Sequence, residues 1–246
     1  EEEVKNNIDI FEKFYAVFNM KPNYVLATRP EKFLGDKKDW DKAENALKNA
    51  LQASNTKYEV KEGDGAFYGP KIEVHLRDSQ GRDWQMGTAQ LDLVMLPKQF
   101  DVNYIDEDGQ KKMPWVIHRA IFGSFERFIG MLLEHLDGNL PAWLSPMQVS
   151  IINVGEKHFN YAQEVKCKLE KIGVRASLEE QNLTVGKKIR EADMQKIPLI
   201  IIVGDKEVEN KTVSLREGGE DKGVLELDNF LKIALRKAIP PSFLKK

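Results

Sequence analysis

A stretch near the middle of the chain, residues 138–146, interrupts the hydrophobic periodicity and separates two parts with different patterns. It contains Gly138, Pro141 and Pro146, which break both helical and strand periodicity. We therefore predict one domain over residues 1–140, a linker over 141–146 and a second domain over 147–246. A chain of 246 residues is long enough for two domains that each bury a core.

The first part combines helices with closely spaced strands. Apolar residues recur at helical spacing from Val4 to Phe18 and from Trp40 to Leu51. Strand patterns follow at residues 57–60, 71–77, 83–96 and 102–105, after an earlier one at 24–28. The short turns between later strands favour antiparallel pairing, because a parallel crossover needs about a dozen residues. The pattern predicts an α+β domain with helices packed on an antiparallel sheet.

The second part alternates strands and helices. Strand patterns occur at residues 149–154, 174–178, 199–203, 212–216 and 224–227. Helical patterns occur at residues 159–172 and 184–196, and Asp228 begins a last helix. This alternation predicts an α/β domain with a mostly parallel five-stranded sheet and helices on its faces.

Composition restricts the environment and the partners. The formal net charge is −2, so a nucleic acid would have to bind a local basic patch. The single cysteine, Cys167, excludes an internal disulfide and suits the cytoplasm. No run approaches the roughly 18 apolar residues of a membrane helix, so we expect no membrane partner. The chain begins Glu1-Glu2-Glu3 without a Met, and we expect it to be part of a longer protein.

Residues 116–136 form the strongest candidate for phosphate binding. An apolar strand delivers His118 to a Gly123-Ser124 turn, and a helix follows. We expect one apolar helix face to be buried, formed by Phe125, Phe128, Ile129, Leu132, Leu133 and Leu136. The helix start offers backbone N–H groups and the first-turn cation Arg127 to an anion. The spacing also admits Arg127 as a solvated or paired surface charge.

Two further polar stretches precede this element. Residues 63–71 contain three glycines with Tyr68 and Lys71, which could bring backbone close to a ligand or form only a turn. In the strand at 83–96, Gln85 lies on one face, while Thr88 and Gln90 lie on the other. Polar groups in a central strand need partners, and either a ligand or solvent at a sheet edge would provide them.

Metal binding is not evident from local sequence. His118 is a lone candidate, since a site needs more donors, although spacing does not exclude His75 as a second ligand. In the second part, basic residues gather around three predicted loops, with the amides Gln181 and Asn182 nearby. The basic residues are Lys187, Lys188, Arg190, Lys196, Lys206, Lys211 and Arg216. Such a rim suits single-stranded nucleic acid, but many soluble domains carry similar lysines.

Several segments together resemble one family, the class II aminoacyl-tRNA synthetases, and within it the branch that acts on threonine. The segments occur in the family's order and are Thr28-Arg29-Pro30-Glu31-Lys32, residues 64–73, Trp84-Gln85-Met86-Gly87-Thr88-Ala89-Gln90-Leu91-Asp92, residues 118–128, Lys187-Lys188-Ile189-Arg190-Glu191 and residues 203–209. The resemblance implies the C-terminal half of an antiparallel catalytic domain followed by an anticodon-binding domain. It also implies synthesis of threonyl-tRNA from threonine, ATP and tRNA through threonyl-adenylate.

The resemblance assigns roles to individual residues. Arg127 would bind ATP phosphates, and Arg127 and Lys71 would be catalytic. The substrate-site residues would be Tyr68, Lys71, Gln85, Thr88, Gln90 and Ser124. His118 would be one of three zinc ligands, and Mg²⁺ would accompany ATP. The residues that contact anticodon bases would be Asn182, Arg190, Glu207 and Arg216.

Part of the family pattern is absent from this sequence. The first two signature motifs and the other two zinc ligands would lie upstream of Glu1. We therefore predict that the isolated chain neither activates threonine nor retains zinc, whereas the full-length protein would do both as a homodimer. One alternative is a non-catalytic tRNA-binding module or a paralogue of the synthetase. Another is a flavodoxin-like second half, although no glycine-rich phosphate fingerprint follows the strand at 149–154.

Overall fold

The computed structural model describes residues 1–181 and 183–241, so the predicted anticodon residue Asn182 lies outside the described residues. Two compact units are found, one of residues 1–135 and one that begins at Leu136. Each unit is described by itself below. Within the described residues, no helix is both long and apolar enough to cross a membrane.

The first unit contains four helices and seven strands among its described residues. In chain order they are α1 (Glu2–Ala16), β1 (Asn23–Ala27), α2 (Lys37–Ala53), β2 (Tyr58–Lys61), β3 (Lys71–Arg77), β4 (Asp83–Asp92), α3 (Met95–Gln99), β5 (Tyr104–Ile105), β6 (Lys111–Lys112), β7 (Val116–Ala120) and α4 (Phe125–His135). The strands β5 and β6 form a separate two-stranded hairpin.

The five remaining strands of this unit form a sheet in the order β2-β1-β3-β4-β7. The predicted antiparallel pairing is confirmed for β1 with β3, β3 with β4, and β4 with β7. The pair β1 and β2 is parallel. The intervening helix α2 provides the long crossover that parallel strands require.

One face of this sheet is apolar and is covered by helices. The even-numbered residues Ile72, Val74 and Leu76 of β3 are 0–3% exposed, as strand alternation predicts. Helix α1 contacts both α2 and β4 and buries its predicted stripe, including Phe11 and Tyr15. The polar side chains of the strands therefore lie on the opposite face.

Helix α4 buries only part of the apolar face that its spacing predicts, including Phe128 and Leu132. Its buried residues are Phe128, Met131 and Leu132, and Phe128 packs against the rings of Phe14, Phe18 and Phe122. In contrast, the side chains at i, i+4 and i+8 are exposed, namely Phe125 at 70%, Ile129 at 51% and Leu133 at 42%. The prediction that these three are buried is wrong, because α4 carries two apolar stripes and spacing alone does not select between them.

The second unit contains five strands and four helices among its described residues. In chain order they are β8 (Val149–Asn153), α5 (Phe159–Lys171), β9 (Ala176–Leu178), α6 (Val185–Met194), β10 (Leu199–Val203), α7 (Asp205–Asn210), β11 (Thr212–Glu217), β12 (Glu220–Glu226) and α8 (Leu227–Ala238). A short 3₁₀ turn, Glu156–His158, precedes α5.

The predicted five-stranded α/β sheet is present, with the order β12-β11-β10-β8-β9. Its parallel part is β10-β8-β9. The strands β11 and β12 add an antiparallel edge, because a tight turn at Gly218 and Gly219, both at positive φ, joins them. Helices α5 and α8 cover one face, and α6 covers the other. Because β8, β9 and β10 run parallel, their carboxyl ends lie at the same edge of the sheet.

Candidate functional site

The strand register of the first unit aligns three predicted site residues. Lys71 of β3 pairs with Gln90 of β4, which pairs with His118 of β7. Thr88 lies opposite Glu73 in the next row along the sheet. Directly paired residues of antiparallel strands point to the same face. The polar face thus presents an amine, an amide and an imidazole in one row across the sheet.

Charges also run along β3 on this face. Lys71 Nζ lies 2.7 Å from Glu73 Oε1, and Glu73 Oε2 lies 2.9 Å from His75 Nε2. His75 Nδ1 contacts the carboxylate of Asp83. Because both ring nitrogens face carboxylates, the imidazolium form of His75 satisfies this arrangement best. The predicted catalytic residue Lys71 therefore lies at one end of a series of four alternating charges, formed by Lys71, Glu73, His75 and Asp83.

This series shifts two pKa values. Burial alone would raise the pKa of Glu73, but hydrogen bonds from His75 and Lys71 outweigh burial and lower the pKa to about 2. The hydrogen bond with Glu73 is the main cause of a raised pKa of His75, with burial opposing it and Asp83 reinforcing it. Sequence reasoning did not assign Glu73 a role. The alternation of Lys71, Glu73 and His75 along β3 is the sequence feature that would have indicated such a role.

His118 lies beside a buried carboxylate and an aromatic ring. Its Nε2 is 3.3 Å from Asp92 Oδ2, yet this buried atom makes no hydrogen bond within the described residues. The ring centroids of Tyr68 and His118 are 5.8 Å apart. Asp92 is fully buried, and its carboxylate accepts hydrogen bonds from the backbone N–H groups of residues 94–96 at the start of α3.

The described residues do not form a zinc site. No group of three histidine, cysteine, aspartate or glutamate side chains among residues 1–181 and 183–241 is placed to hold a metal. Both ring nitrogens of His75, the second ligand that spacing had left open, instead face Glu73 and Asp83. His118 offers one donor, whereas a protein zinc site uses at least three.

The glycine-rich segment before β3 packs against the protein's own backbone. A Cβ at Gly69 would lie 1.6 Å from the Leu91 carbonyl oxygen, and one at Gly65 would lie 2.5 Å from the Thr28 carbonyl oxygen. The Tyr68 carbonyl accepts a hydrogen bond from Leu93 N–H at 3.1 Å. At these two glycines the close approach is therefore to the backbone of Thr28 and Leu91, and it fixes Tyr68 near His118.

A second group of predicted residues gathers at the start of α4. The Arg127 guanidinium donates to the Gln85 carbonyl oxygen at 2.9 Å and lies 5.8 Å from the ring centroid of Trp84. Ser124 Oγ accepts from Arg127 N–H at 3.3 Å, which is a typical helix N-cap. Sequence reasoning missed the contact with Trp84. The result is an exposed cation held at the N-terminus of an 11-residue helix, a favourable arrangement for an anion.

The described anticodon candidates of the second unit lie in the first turn of α7, near the end of β11 and on the surface of α6. Glu207 Oε2 accepts from Gly204 N–H at 2.9 Å and so caps α7. The Arg216 guanidinium donates to the Gly219 carbonyl oxygen at 2.7 Å. Arg190 is exposed on α6. Lys188, predicted to belong to the basic rim, is only 6% exposed, so its place on an exposed rim is wrong.

Comparison with known proteins assigns both units. Residues 1–136 match the family model of the tRNA synthetase class II core domain (G, H, P, S and T). Residues 148–237 match the model of an anticodon binding domain, which favours the synthetase interpretation of the second unit over the flavodoxin-like alternative.

Individual relatives are similar over nearly the whole chain. The threonine–tRNA ligase of Acetivibrio thermocellus is 49% identical over 94% of this chain and 36% of that protein. The Carboxydothermus hydrogenoformans ligase is 51% identical over 89% of this chain and 34% of that protein. A crystal structure of the RNA binding domain of threonyl-tRNA synthetase from Cryptosporidium parvum is 37% identical, with a TM-score of 0.91, over 98% of this chain and 61% of that chain.

The chain spans about a third of the length of the curated relatives it matches. The class II core model covers more than half of the chain, and the observed antiparallel sheet with its flanking helices agrees with the fold expected from the sequence. The chain belongs to the class II tRNA synthetase family that shares the G, H, P, S and T core domain.

Proposed function

We propose that this chain supplies the C-terminal half of the catalytic domain and the anticodon-binding domain of a threonine–tRNA ligase. The observation that carries the proposal is the collinear similarity to threonine–tRNA ligases across both units. The full-length protein would join threonine to ATP, forming threonyl-adenylate and releasing pyrophosphate. It would then transfer the threonyl group to the terminal ribose of tRNA.

The first unit would bind and orient ATP and threonyl-adenylate. Arg127, held by Gln85 and the Trp84 ring, would neutralise phosphate charge that develops during pyrophosphate release. Lys71, held by Glu73, would place its ammonium beside the adenylate. The remaining substrate contacts would come from Tyr68, Gln85, Thr88, Gln90 and Ser124. Mg²⁺ bound with ATP would further neutralise phosphate charge.

Zinc binding belongs to the proposal only for the full-length protein. His118 would supply one ligand, and the donors that complete the site would come from outside the described residues. The steps assigned here to Arg127 and Lys71 do not depend on zinc.

The second unit would recognise tRNA through its anticodon. Arg190, Glu207 and Arg216, together with Asn182, would contact unpaired bases by hydrogen bonds to base edges. The cap at Glu207 and the turn contact at Arg216 support the proposal, because both side chains are already oriented. We further propose a homodimeric, cytoplasmic full-length protein.

The test is threonine-dependent ATP–pyrophosphate exchange by the full-length protein, with valine as the control amino acid. Exchange with threonine and not with valine supports the proposal, because valine lacks the hydroxyl group that a polar site would recognise. Anticodon-dependent RNA binding without any exchange by the full-length protein would instead favour the alternative, a non-catalytic tRNA-binding module.

A further inference from the structure

A buried lysine held by neutral acceptors lies beside the carboxyl edge of the parallel strands in the second unit. Lys188 is 6% exposed. Its Nζ donates to Asn153 Oδ1 at 3.1 Å and to the Glu179 carbonyl oxygen at 3.1 Å. An amide and a peptide carbonyl thus hold this ammonium, in contrast to Lys71, which pairs with the Glu73 carboxylate.

The placement of Lys188 is unfavourable for helix and core stability. Burial of an ammonium carries a large desolvation cost that neutral acceptors offset only in part. Lys188 is also the fourth residue of α6, near the helix end where the macrodipole disfavours a cation. An apolar residue would avoid both costs. The specific contacts of Lys188 are therefore the feature that requires an explanation.

Those contacts connect three elements at one edge of the sheet. Asn153 is the last residue of β8, Glu179 directly follows β9, and Lys188 belongs to α6. The segment of residues 179–184 joins β9 to α6. It contains Gln181 and the predicted anticodon residue Asn182, the latter outside the described residues.

Glu179 is the anchor of this segment. Its N–H donates to the Ile151 carbonyl oxygen at 2.9 Å, and its carbonyl oxygen accepts from Lys188. Its side-chain Oε1 accepts from Gln181 N–H at 3.0 Å. Without the Lys188 ammonium, the Glu179 carbonyl and the Asn153 side-chain oxygen would each lose a charge-assisted hydrogen bond.

We propose that Lys188 is a positioning residue for anticodon recognition. It fixes Glu179, and through it Gln181, against Asn153 and thereby sets the position from which Gln181 meets an unpaired base. Because the ammonium is buried, Lys188 does not bind an RNA phosphate. The inference rests on the proposed tRNA recognition by the second unit.

The test uses the 246-residue chain and two RNA hairpins, one with a threonine anticodon and one with a single anticodon base changed. The ratio of the two dissociation constants measures discrimination, and the salt dependence of binding reports phosphate contacts. Lys188→Met should reduce the ratio about tenfold, the loss typical of a charge-assisted hydrogen bond, with an unchanged salt slope. The matched control is Lys232→Met, at an exposed lysine of α8 outside the basic rim, which should preserve the ratio.

Amide hydrogen exchange provides a second, RNA-independent measurement. In Lys188→Met, the amides of Gln181 and Leu183 should exchange faster, while that of Ile201 in the central strand β10 should not change. If Lys188→Met does not fold, Lys188→Gln, which retains an N–H donor, replaces it with the same expected direction.

Unchanged discrimination and unchanged exchange in the Lys188 variant would overturn the inference. Equal weakening for both hairpins with a smaller salt slope would also overturn it, because Lys188 would then be a phosphate contact. If the unmodified chain does not distinguish the hairpins, the proposed anticodon recognition fails, and with it the RNA part of the inference. Amide exchange would still decide whether Lys188 holds the segment.

Discussion

The two units present their predicted site residues on different kinds of structure. In the first, Lys71, Gln90 and His118 lie on paired strands, so the sheet register fixes their spacing. In the second, Glu207 caps α7, Arg190 lies on the surface of α6, and Arg216 lies near the end of β11 and contacts the turn that follows it. A site on one rigid sheet suits the fixed geometry of adenylate chemistry, whereas side chains spread over two helices and a strand end can each meet a different unpaired base. We therefore expect that changes to the backbone disturb the first site most, whereas changes to single side chains disturb the second site most.

The largest expected effect is on the backbone that supports the first site. Gly69→Ala would place a Cβ 1.6 Å from the Leu91 carbonyl oxygen, so strands and loop would have to separate. We expect a loss of about 4 kcal/mol or more in the free energy of unfolding, measured by denaturant titration. Gly130→Ala is the control, because a Cβ there meets nothing within 4 Å and should stabilise α4 slightly. Equal stability of the two variants would contradict the close packing at Gly69.

The charge series on β3 should contribute the next largest effect. Glu73→Gln should lower the free energy of unfolding at pH 7 by about 1–3 kcal/mol, since the lowered pKa of Glu73 makes its ionised form stabilising. That contribution is present above the ordinary pKa of 4.5 and is lost as pH falls through about 2. Denaturant titrations of both proteins between pH 7 and pH 2.5 measure the difference. A difference independent of pH would show that packing, not charge, is responsible.

In the second unit, Arg216→Ala should act on RNA recognition. We expect a loss of about 1–3 kcal/mol in discrimination between a threonine anticodon hairpin and a changed one, if Arg216 contacts a base edge. Hairpin binding by the isolated chain measures this loss. Lys222→Ala, at an exposed lysine of β12, serves as the control. Equal weakening for every hairpin would make Arg216 a phosphate contact.

The smallest expected effect is that of Asp83, at the end of the series of charges along β3, on the pKa of His75. Asp83→Asn should lower the raised pKa of His75, because the Asp83 carboxylate favours the imidazolium, and Glu73→Gln should lower it further. The stabilisation from His75 is complete below its ordinary pKa of 6.5 and is lost as pH rises through its higher folded-state pKa. NMR titration of the His75 ring protons measures the shift, with Asp108→Asn as a distant control. An unchanged pKa in Asp83→Asn would remove Asp83 from the series.

Sequence patterns predicted which segments form the sheets better than they predicted which individual side chains contact one another. Alternation along β4 correctly placed Thr88 and Gln90 together. It could not reveal the extra residue, Met86, which shifts the register so that Gln85 pairs with His75. Gln85 therefore lies on the same face as Thr88 and Gln90, and the prediction that it faces the other way is wrong. Register depends on such irregularities and on contacts distant in sequence.

The sequence also predicted poorly which helical residues are buried. Two apolar stripes on α4 led to a wrong prediction for Ile129, and the cationic character of Lys188 suggested exposure although the side chain is buried. Both outcomes depend on which neighbouring element covers the helix, and periodicity within one segment does not contain that information. The roles assigned by family resemblance to Lys71, Arg127 and the anticodon residues remain predictions.

The most direct test of the division between the two units uses two variants of the full-length protein, Arg127→Ala and Arg216→Ala. Two activities are measured for each, namely threonine-dependent ATP–pyrophosphate exchange without tRNA and discrimination between anticodon hairpins. We predict that Arg127→Ala slows exchange by about 10²–10³-fold and retains discrimination, because it removes charge stabilisation of phosphate. Arg216→Ala should lose discrimination and retain exchange. Loss of exchange in Arg216→Ala, or normal exchange in Arg127→Ala, would contradict this account.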